Sequence, residues 1–298
     1  MLGHLISGPL LGIFTLLLHV INTLLWGAAL YIVAFFKLIS PAGRVKRFFG
    51  SGVAQLASNW FECNLAIMWL CVPVTWNIEL PETLSKKKNY LVTCNHQSWV
   101  DIIALFYAMN GKVPFFRFFL KEELRKIPVL GHAWMALDYP FMKRYSKETI
   151  AAHPELAGKD IEETKLACEK YKGIPVTVVN FMEGTRFKAD LHEKQQSPYR
   201  HLLKPKAGGI SFVMSSMGEQ IDSLLNVTIL YPQGVKEIWA FFCGHLREVT
   251  VIVHEQPLPA EMIAGDYSND PEFRGKFQGW VTELWEEKDA FIASKEGS

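Results

Sequence analysis

No charged side chain occurs in the first 36 residues, and the whole chain has no marked excess of either sign, with 31 Lys and Arg against 30 Asp and Glu. That balance gives no footing for nucleic-acid binding, which needs a basic face. No two of the five cysteines, Cys63, Cys71, Cys94, Cys168 and Cys243, stand in C-x-x-C spacing, and their number is odd. A disulfide framework or a thiolate zinc site is therefore disfavoured, and buried free thiols in a reducing compartment are expected. His132, His153, His192, His201, His245 and His254 show no ligand spacing and read as structural or surface histidines. Internal repeats and low-complexity tracts are absent too.

In place of charge, the N-terminal stretch has apolar length. Residues 10–36 form a 27-residue run interrupted only by Thr15, His19, Asn22 and Thr23. About 20 such residues cross the hydrocarbon core of a bilayer. A cleavable signal peptide is a poor alternative, because the run is too long and no basic segment precedes it. Lys37, Arg44, Lys46 and Arg47 follow at once and place the C-terminal side of the helix toward the cytoplasm. An uncleaved anchor is expected. Residues 53–78 are apolar and carry Trp60, Trp69 and Trp76, but also Asn59, Glu62 and Asn64, with a break at Pro73. This second segment reads as an interfacial helix, a helix packed on the domain, or half of a re-entrant pair that never crosses. The resulting division is a membrane-anchoring region over 1–80 and a separate domain over 81–298.

Once the first 80 residues are set aside, roughly 215 remain, enough for one domain with a sizeable core. Strands are predicted over 74–80, 89–94, 113–120, 176–181 and 224–231, with two more near 237–242 and 248–254. Helices are predicted over 102–109, 159–171, 209–217 and 271–292, with a short helical piece at 121–126 and a charged loop from 187 to 206. Alternating strands and helices make this an α/β domain.

Two segments share one design, a buried strand that opens into a polar turn: LVTCNHQSWVD and VTVVNFMEGTRF. Strand ends in α/β sheets are where ligands bind, so both turns are candidates for one pocket. His96 and Asp101 are five residues apart, which on a single helix points them about 140° away from each other. They meet only if His96 sits in the turn and Asp101 in the first helical turn, where peptide dipoles favour an anion. In that arrangement His96 is a general base and Asp101 fixes its tautomer. The second turn offers Arg186, a planar fork suited to phosphate, beside Thr185 and the amides around Gly184. Arg117 and Lys121 add two cations from an aromatic segment. A base, an anion clamp and an apolar anchor together suggest a hydroxyl attacking an acyl group on an amphipathic, phosphate-bearing substrate. Each motif also has a plain structural reading. H-x4-D recurs by chance, Arg186 is in reach of Glu183, and Arg117 and Lys121 are in reach of Glu122 or Glu123.

NHQSWVD resembles the first motif, N-H-x4-D, of the PlsC-like lysophosphatidic acid acyltransferase family, and FMEGTR (181–186) resembles its third, F-P-E-G-T-R. FLKEELRKIPVLG (119–131) is similar to the second motif and ILYPQG (229–234) to the fourth. The likeness covers residues 75–255. Met182 replaces the usual proline, as in a subgroup with F-[VL]-E-G-T-R-F and a later L-x-P-[KR], matched here by Leu203, Lys204, Pro205 and Lys206. The fourth motif is met only loosely, by Pro232.

The resemblance implies a glycerolipid-acyltransferase-like mixed sheet flanked by helices and preceded by N-terminal membrane helices. It makes His96 the base and Asp101 its partner. It assigns the acceptor phosphate to Glu183, Gly184, Thr185 and Arg186 with Lys121, and pocket shape to Pro128 and Gly131. It implies a fatty acyl thioester on coenzyme A or acyl carrier protein as donor, lysophosphatidic acid as acceptor, and neither metal nor bound cofactor. The expected location is a membrane, a bacterial inner membrane, with the catalytic domain facing the cytoplasm. Other acceptors, whether a different lysophospholipid or an alcohol, are the alternative within this fold. A silent lipid-binding protein and a metallohydrolase are the alternatives outside it.

Overall fold

The structure is a computed structural model and describes residues 8–118, 120–139, 141–142, 171, 173–263 and 265–295. In chain order its elements are α1 (Pro9–Ile39), α2 (Arg44–Cys71), β1 (Thr75–Glu79), β2 (Tyr90–Cys94), α3 (Val100–Met109), β3 (Phe116–Phe118) and α4 (Leu130–Ala136). Then follow β4 (Thr177–Phe181), α5 (Ala189–Gln195), α6 (Ala207–Met217), β5 (Ser223–Leu230), α7 (Ile238–Phe242), β6 (Glu248–Gln256) and α8 (Pro271–Lys295). The described residues fall into two compact units. One draws on Met1–Pro73, Arg117–Lys172 and Phe242–His245, and the other on Val74–Phe116, Gly173–Phe241 and Leu246–Ser298.

In the first unit α1 and α2 form an antiparallel hairpin. Phe36 stacks on Phe49, and Asn22 donates to Asn64 Oδ1 at 2.9 Å and to the Trp60 carbonyl at 3.1 Å. Trp60 Nε1 donates in turn to Thr23 Oγ1 at 3.2 Å. Asn22 and Thr23 of α1 thus meet Trp60 and Asn64 of α2 between the helices. Leu10, Leu25, Ile32 and Leu38 project outward and are each 61% or more exposed. α1 is 31 residues long and is the single helix, among the described residues, long and apolar enough to cross a membrane.

The second unit holds most of a six-stranded mixed sheet in the order β1–β6–β5–β2–β4–β3. β2 runs parallel to β4 and to β5, β1 runs parallel to β6, and β5 and β6 are antiparallel. Every residue of β2 is buried. Its continuous apolar run is what a central strand covered on both faces requires. Helices α3, α6 and α8 pack against the sheet, so the α/β expectation holds.

Three local expectations change. Residues 238–242 form α7, not a strand. Of these residues only Phe241 is buried, a one-sided pattern in an apolar run too short for periodicity to decide. The strand expected over 113–120 shrinks to β3, and Leu120–Lys121 pairs separately with Phe141–Met142. The charged loop after Arg186 contains α5. The helix expected over 159–171 lies outside the described residues except for Tyr171.

Candidate active site

The turn after β2 is closed by its first residue. Asn95, fully buried, accepts from the Ile229 N–H and donates to the Ile229 carbonyl, both at 2.9 Å, and so ties the turn to β5. Asp101 falls in the first turn of α3, as its distance from His96 demands. His96 Nδ1 lies 2.8 Å from Asp101 Oδ2. The same oxygen accepts the N–H groups of Gln97 at 2.6 Å and Ser98 at 2.8 Å, while Oδ1 accepts the Tyr231 hydroxyl at 2.5 Å. Asp101 is entirely buried, and all four of its partners face it as donors. With the carboxylate as acceptor, Nδ1 carries the imidazole proton and Nε2 carries the lone pair. The ring lies flat against Phe181 with centroids 4.0 Å apart, and its side chain keeps 14% exposure. An imidazole fixed on one nitrogen by a buried acid, and open on the other, is able to take a proton from a hydroxyl.

The second turn holds the first by its backbone. Glu183, 0% exposed, accepts the His96 N–H on Oε1 at 2.8 Å and the Leu203 N–H on Oε2 at 2.9 Å. The Phe187 N–H donates to the His96 carbonyl at 2.7 Å. Both peptide groups of His96 are thereby anchored to the segment that carries Arg186. Burial pushes the Glu183 carboxyl up to about 7. The Leu203 and His96 amides oppose that rise, Asp101 adds to it, and Lys288 opposes it. Glu183 is therefore placed to fix the turn and not to face an incoming anion.

Gly184 adopts φ +66°, a left-handed backbone that favours glycine, and a Cβ there would come within 3.0–3.4 Å of the Lys206 side chain. Thr185 is exposed. Arg186 stands 5.1 Å over the Trp99 ring, a cation–π contact, and its Nη1 is 3.6 Å from the highly exposed Glu237 carboxylate. It does not pair with Glu183. An exposed pair of this kind is weak and gives way to a better anion.

His96, Asp101, Glu183, Gly184, Thr185 and Arg186 thus meet within the second unit. Arg117, Lys121, Pro128 and Gly131 belong to the first. Arg117 lies 5.3 Å from the Tyr139 ring centroid and 5.9 Å from that of Tyr171, while Glu122 pairs with Arg125 at 2.9 Å. Lys121 ends a two-residue strand. Gly131 follows Pro128 at the start of α4, where a Cβ would meet the Arg125 carbonyl oxygen at 2.2 Å, so no larger residue fits. Sequence reasoning missed Asn95, Trp99, Tyr231 and Lys288. The first two lie within or beside the quoted motif, and Tyr231 stands next to Pro232. Lys288 lies on the helix expected over 271–292, whose apolar spacing drew attention to its aromatic residues instead.

An acyltransferase family model matches residues 75–232. The chain is 25% identical over 243 residues to the 2-acyl-1-lysophosphatidylinositol acyltransferase of Saccharomyces cerevisiae, covering 69% of this chain and 61% of that one. It is 24% identical over 221 residues to the 1-acyl-sn-glycerol-3-phosphate acyltransferase epsilon of Mus musculus, covering 69% and 58%. With the 1-acyl-sn-glycerol-3-phosphate acyltransferase 3 of Arabidopsis thaliana it shares 24% identity over 277 residues, covering 87% and 67%. The matches to the yeast and mouse proteins span about three fifths of those relatives' lengths. The crystal structure of the lysophosphatidic acid acyltransferase PlsC from Thermotoga maritima aligns at TM-score 0.49 and 20% identity, over 92% of this chain and 95% of that one.

Proposed function

The chain belongs to the acyltransferase family, in the PlsC-like group that its motifs resemble, and within it we propose that it moves a fatty acyl group from an acyl thioester to the free hydroxyl of 1-acylglycerol-3-phosphate, giving phosphatidic acid. The observation that carries this reading is the His96–Asp101 contact of 2.8 Å, set on a turn whose neighbour presents Arg186. In the proposed reaction His96 Nε2 takes the hydroxyl proton as the oxygen attacks the thioester carbonyl. The C–S bond breaks as the ester forms, and the imidazolium returns its proton to the departing thiolate. Asp101 stabilises that imidazolium. Arg186 takes the acceptor phosphate in exchange for Glu237, with Thr185 and the turn amides beside it. For Lys121, Pro128 and Gly131, which belong to the first unit, a role toward the acceptor rests on the motif resemblance alone. The donor carries its acyl chain on coenzyme A or acyl carrier protein.

α1 is proposed as the membrane anchor that brings the site to its lipid. At 1.5 Å per residue a helix of this length runs about 46 Å, against a hydrocarbon core of about 30 Å. Lys37, Arg44, Lys46 and Arg47 support a position on the cytoplasmic leaflet. The yeast relative's name favours a second reading, in which lysophosphatidylinositol is the acceptor. An acceptor panel with labelled acyl thioester separates the two. Turnover of lysophosphatidic acid at least tenfold above lysophosphatidylinositol supports the first reading, the reverse ratio supports the second, and no transfer to any acceptor removes both.

A further inference from the structure

Lys288 lies on α8, beyond the residues matched by the family, and is only 1% exposed. A lysine is almost never buried to that degree without a partner. Its Nζ donates to the Val227 carbonyl at 2.5 Å and to Thr228 Oγ1 at 3.2 Å. Val227, Cys94 and Phe181 share one rung of the sheet. His96 follows Cys94 by two residues, and Glu183 follows Phe181 by two. The ammonium thus lies beneath the two turns of the candidate active site. Trp285, three residues before Lys288, donates Nε1 to the Leu203 carbonyl at 3.0 Å, and the Leu203 N–H is held by Glu183. α8 therefore reaches Glu183 by a charge and by a strut through Leu203.

We propose that Lys288 is a positioning residue whose buried ammonium keeps the Glu183 carboxylate ionised, and so keeps the His96 backbone seated for proton transfer. The inference rests on His96 acting as base in the proposed reaction. Its physical basis is the hydrogen-bond inventory. An ionised carboxylate accepts from two N–H groups at once, whereas the acid form turns one oxygen into a hydroxyl that no longer suits the N–H facing it. Burial favours the acid form of Glu183, and Asp101, facing it from the start of α3, pushes the same way. The Leu203 and His96 amides act most strongly in the other direction, and Lys288 is the charge that joins them. Burial in turn lowers Lys288 to about 8, against the pull of Cys94 and Glu183. The Cys94 thiol on β2 is pushed far above its ordinary range by burial and stays neutral. A purely structural role, capping the Val227 carbonyl, leaves the protonation of Glu183 untouched.

The test uses the full chain with Lys288→Met, Glu183→Gln and the double variant, and reads the pH profile of kcat together with thermal unfolding. Lys288→Met is expected to move the acid limb of kcat upward in pH, because removing a nearby cation raises a carboxyl pKa. In the Glu183→Gln background the same change is expected to move nothing. An unmoved limb in folded Lys288→Met, or an equal shift in both backgrounds, overturns the proposal. Where Lys288→Met folds too poorly to assay, the double variant is expected to melt above it, since removing both charges is less damaging than stranding one. A double variant no more stable than Lys288→Met overturns the proposal as well. Loss of the proposed reaction shows instead as a parent protein that transfers no acyl group, and the thermal comparison still reads the Lys288–Glu183 coupling.

Discussion

The backbone N–H of His96 is held by the carboxylate of Glu183 at 2.8 Å, across 87 residues of sequence. The two motif turns are thus joined through a peptide group. The imidazole is aimed by Asp101, and the peptide that carries it is anchored by Glu183 and Phe187. The geometry of the candidate site therefore depends on Glu183 and Phe187 as well as on Asp101.

Asp101→Asn keeps the size of the side chain but offers an amide where a carboxylate accepts from His96. We expect kcat to fall about 10³- to 10⁴-fold with little change in acceptor KM, since tautomer and imidazolium are both affected. Steady-state kinetics over a range of acceptor concentrations checks this.

Tyr231→Phe removes the hydroxyl that donates to Asp101 Oδ1 at 2.5 Å in a buried setting. A lost hydrogen bond to a charged group costs about 1.5–3 kcal/mol. Urea unfolding is expected to show that loss, and kcat to fall while KM holds.

Arg186→Ala removes the cation that faces Trp99 and Glu237. Acceptor KM is expected to rise at least tenfold for a phosphate-bearing lysolipid and to change little for a neutral monoacylglycerol. Equal losses on both acceptors speak against a phosphate clamp.

Much of this was legible in the chain itself, for physical reasons. β2 announced itself because a central strand must be apolar throughout, and Asp101 because its distance from His96 left one geometry open. The role of Glu183 was not legible, since a carboxylate in an exposed-looking E-G-T-R string gives no sign that both oxygens accept buried amides. Residues 238–242 misled because five apolar positions do not separate a strand from a single helical turn. Lys288 was hidden for a related reason: α8 has a weakly one-sided composition, and burial of its lysine depends on β5, about 60 residues earlier in sequence.

Stability across pH carries the signature of the buried pair. Glu183, raised from 4.5 to about 7, contributes stability that is full below 4.5 and is lost as pH rises through 7. Lys288, lowered from 10.5 to about 8, contributes stability that is full above 10.5 and is lost as pH falls through 8. Their joint contribution is lowest between about 7 and 8, where both are charged. The unfolding free energy of the Glu183→Gln/Lys288→Met variant minus that of the parent should therefore peak in that window, and a flat difference contradicts the assignment.

The most direct test of the whole account is acyl transfer from a labelled thioester to lysophosphatidic acid by purified parent and His96→Ala, under single-turnover conditions. A positioned general base contributes about 10²- to 10⁴-fold. The account predicts that phosphatidic acid forms with the parent and that His96→Ala loses at least 10²-fold in rate. A variant that stays within about tenfold of the parent contradicts it, because general-base catalysis by His96 is then not what drives the reaction.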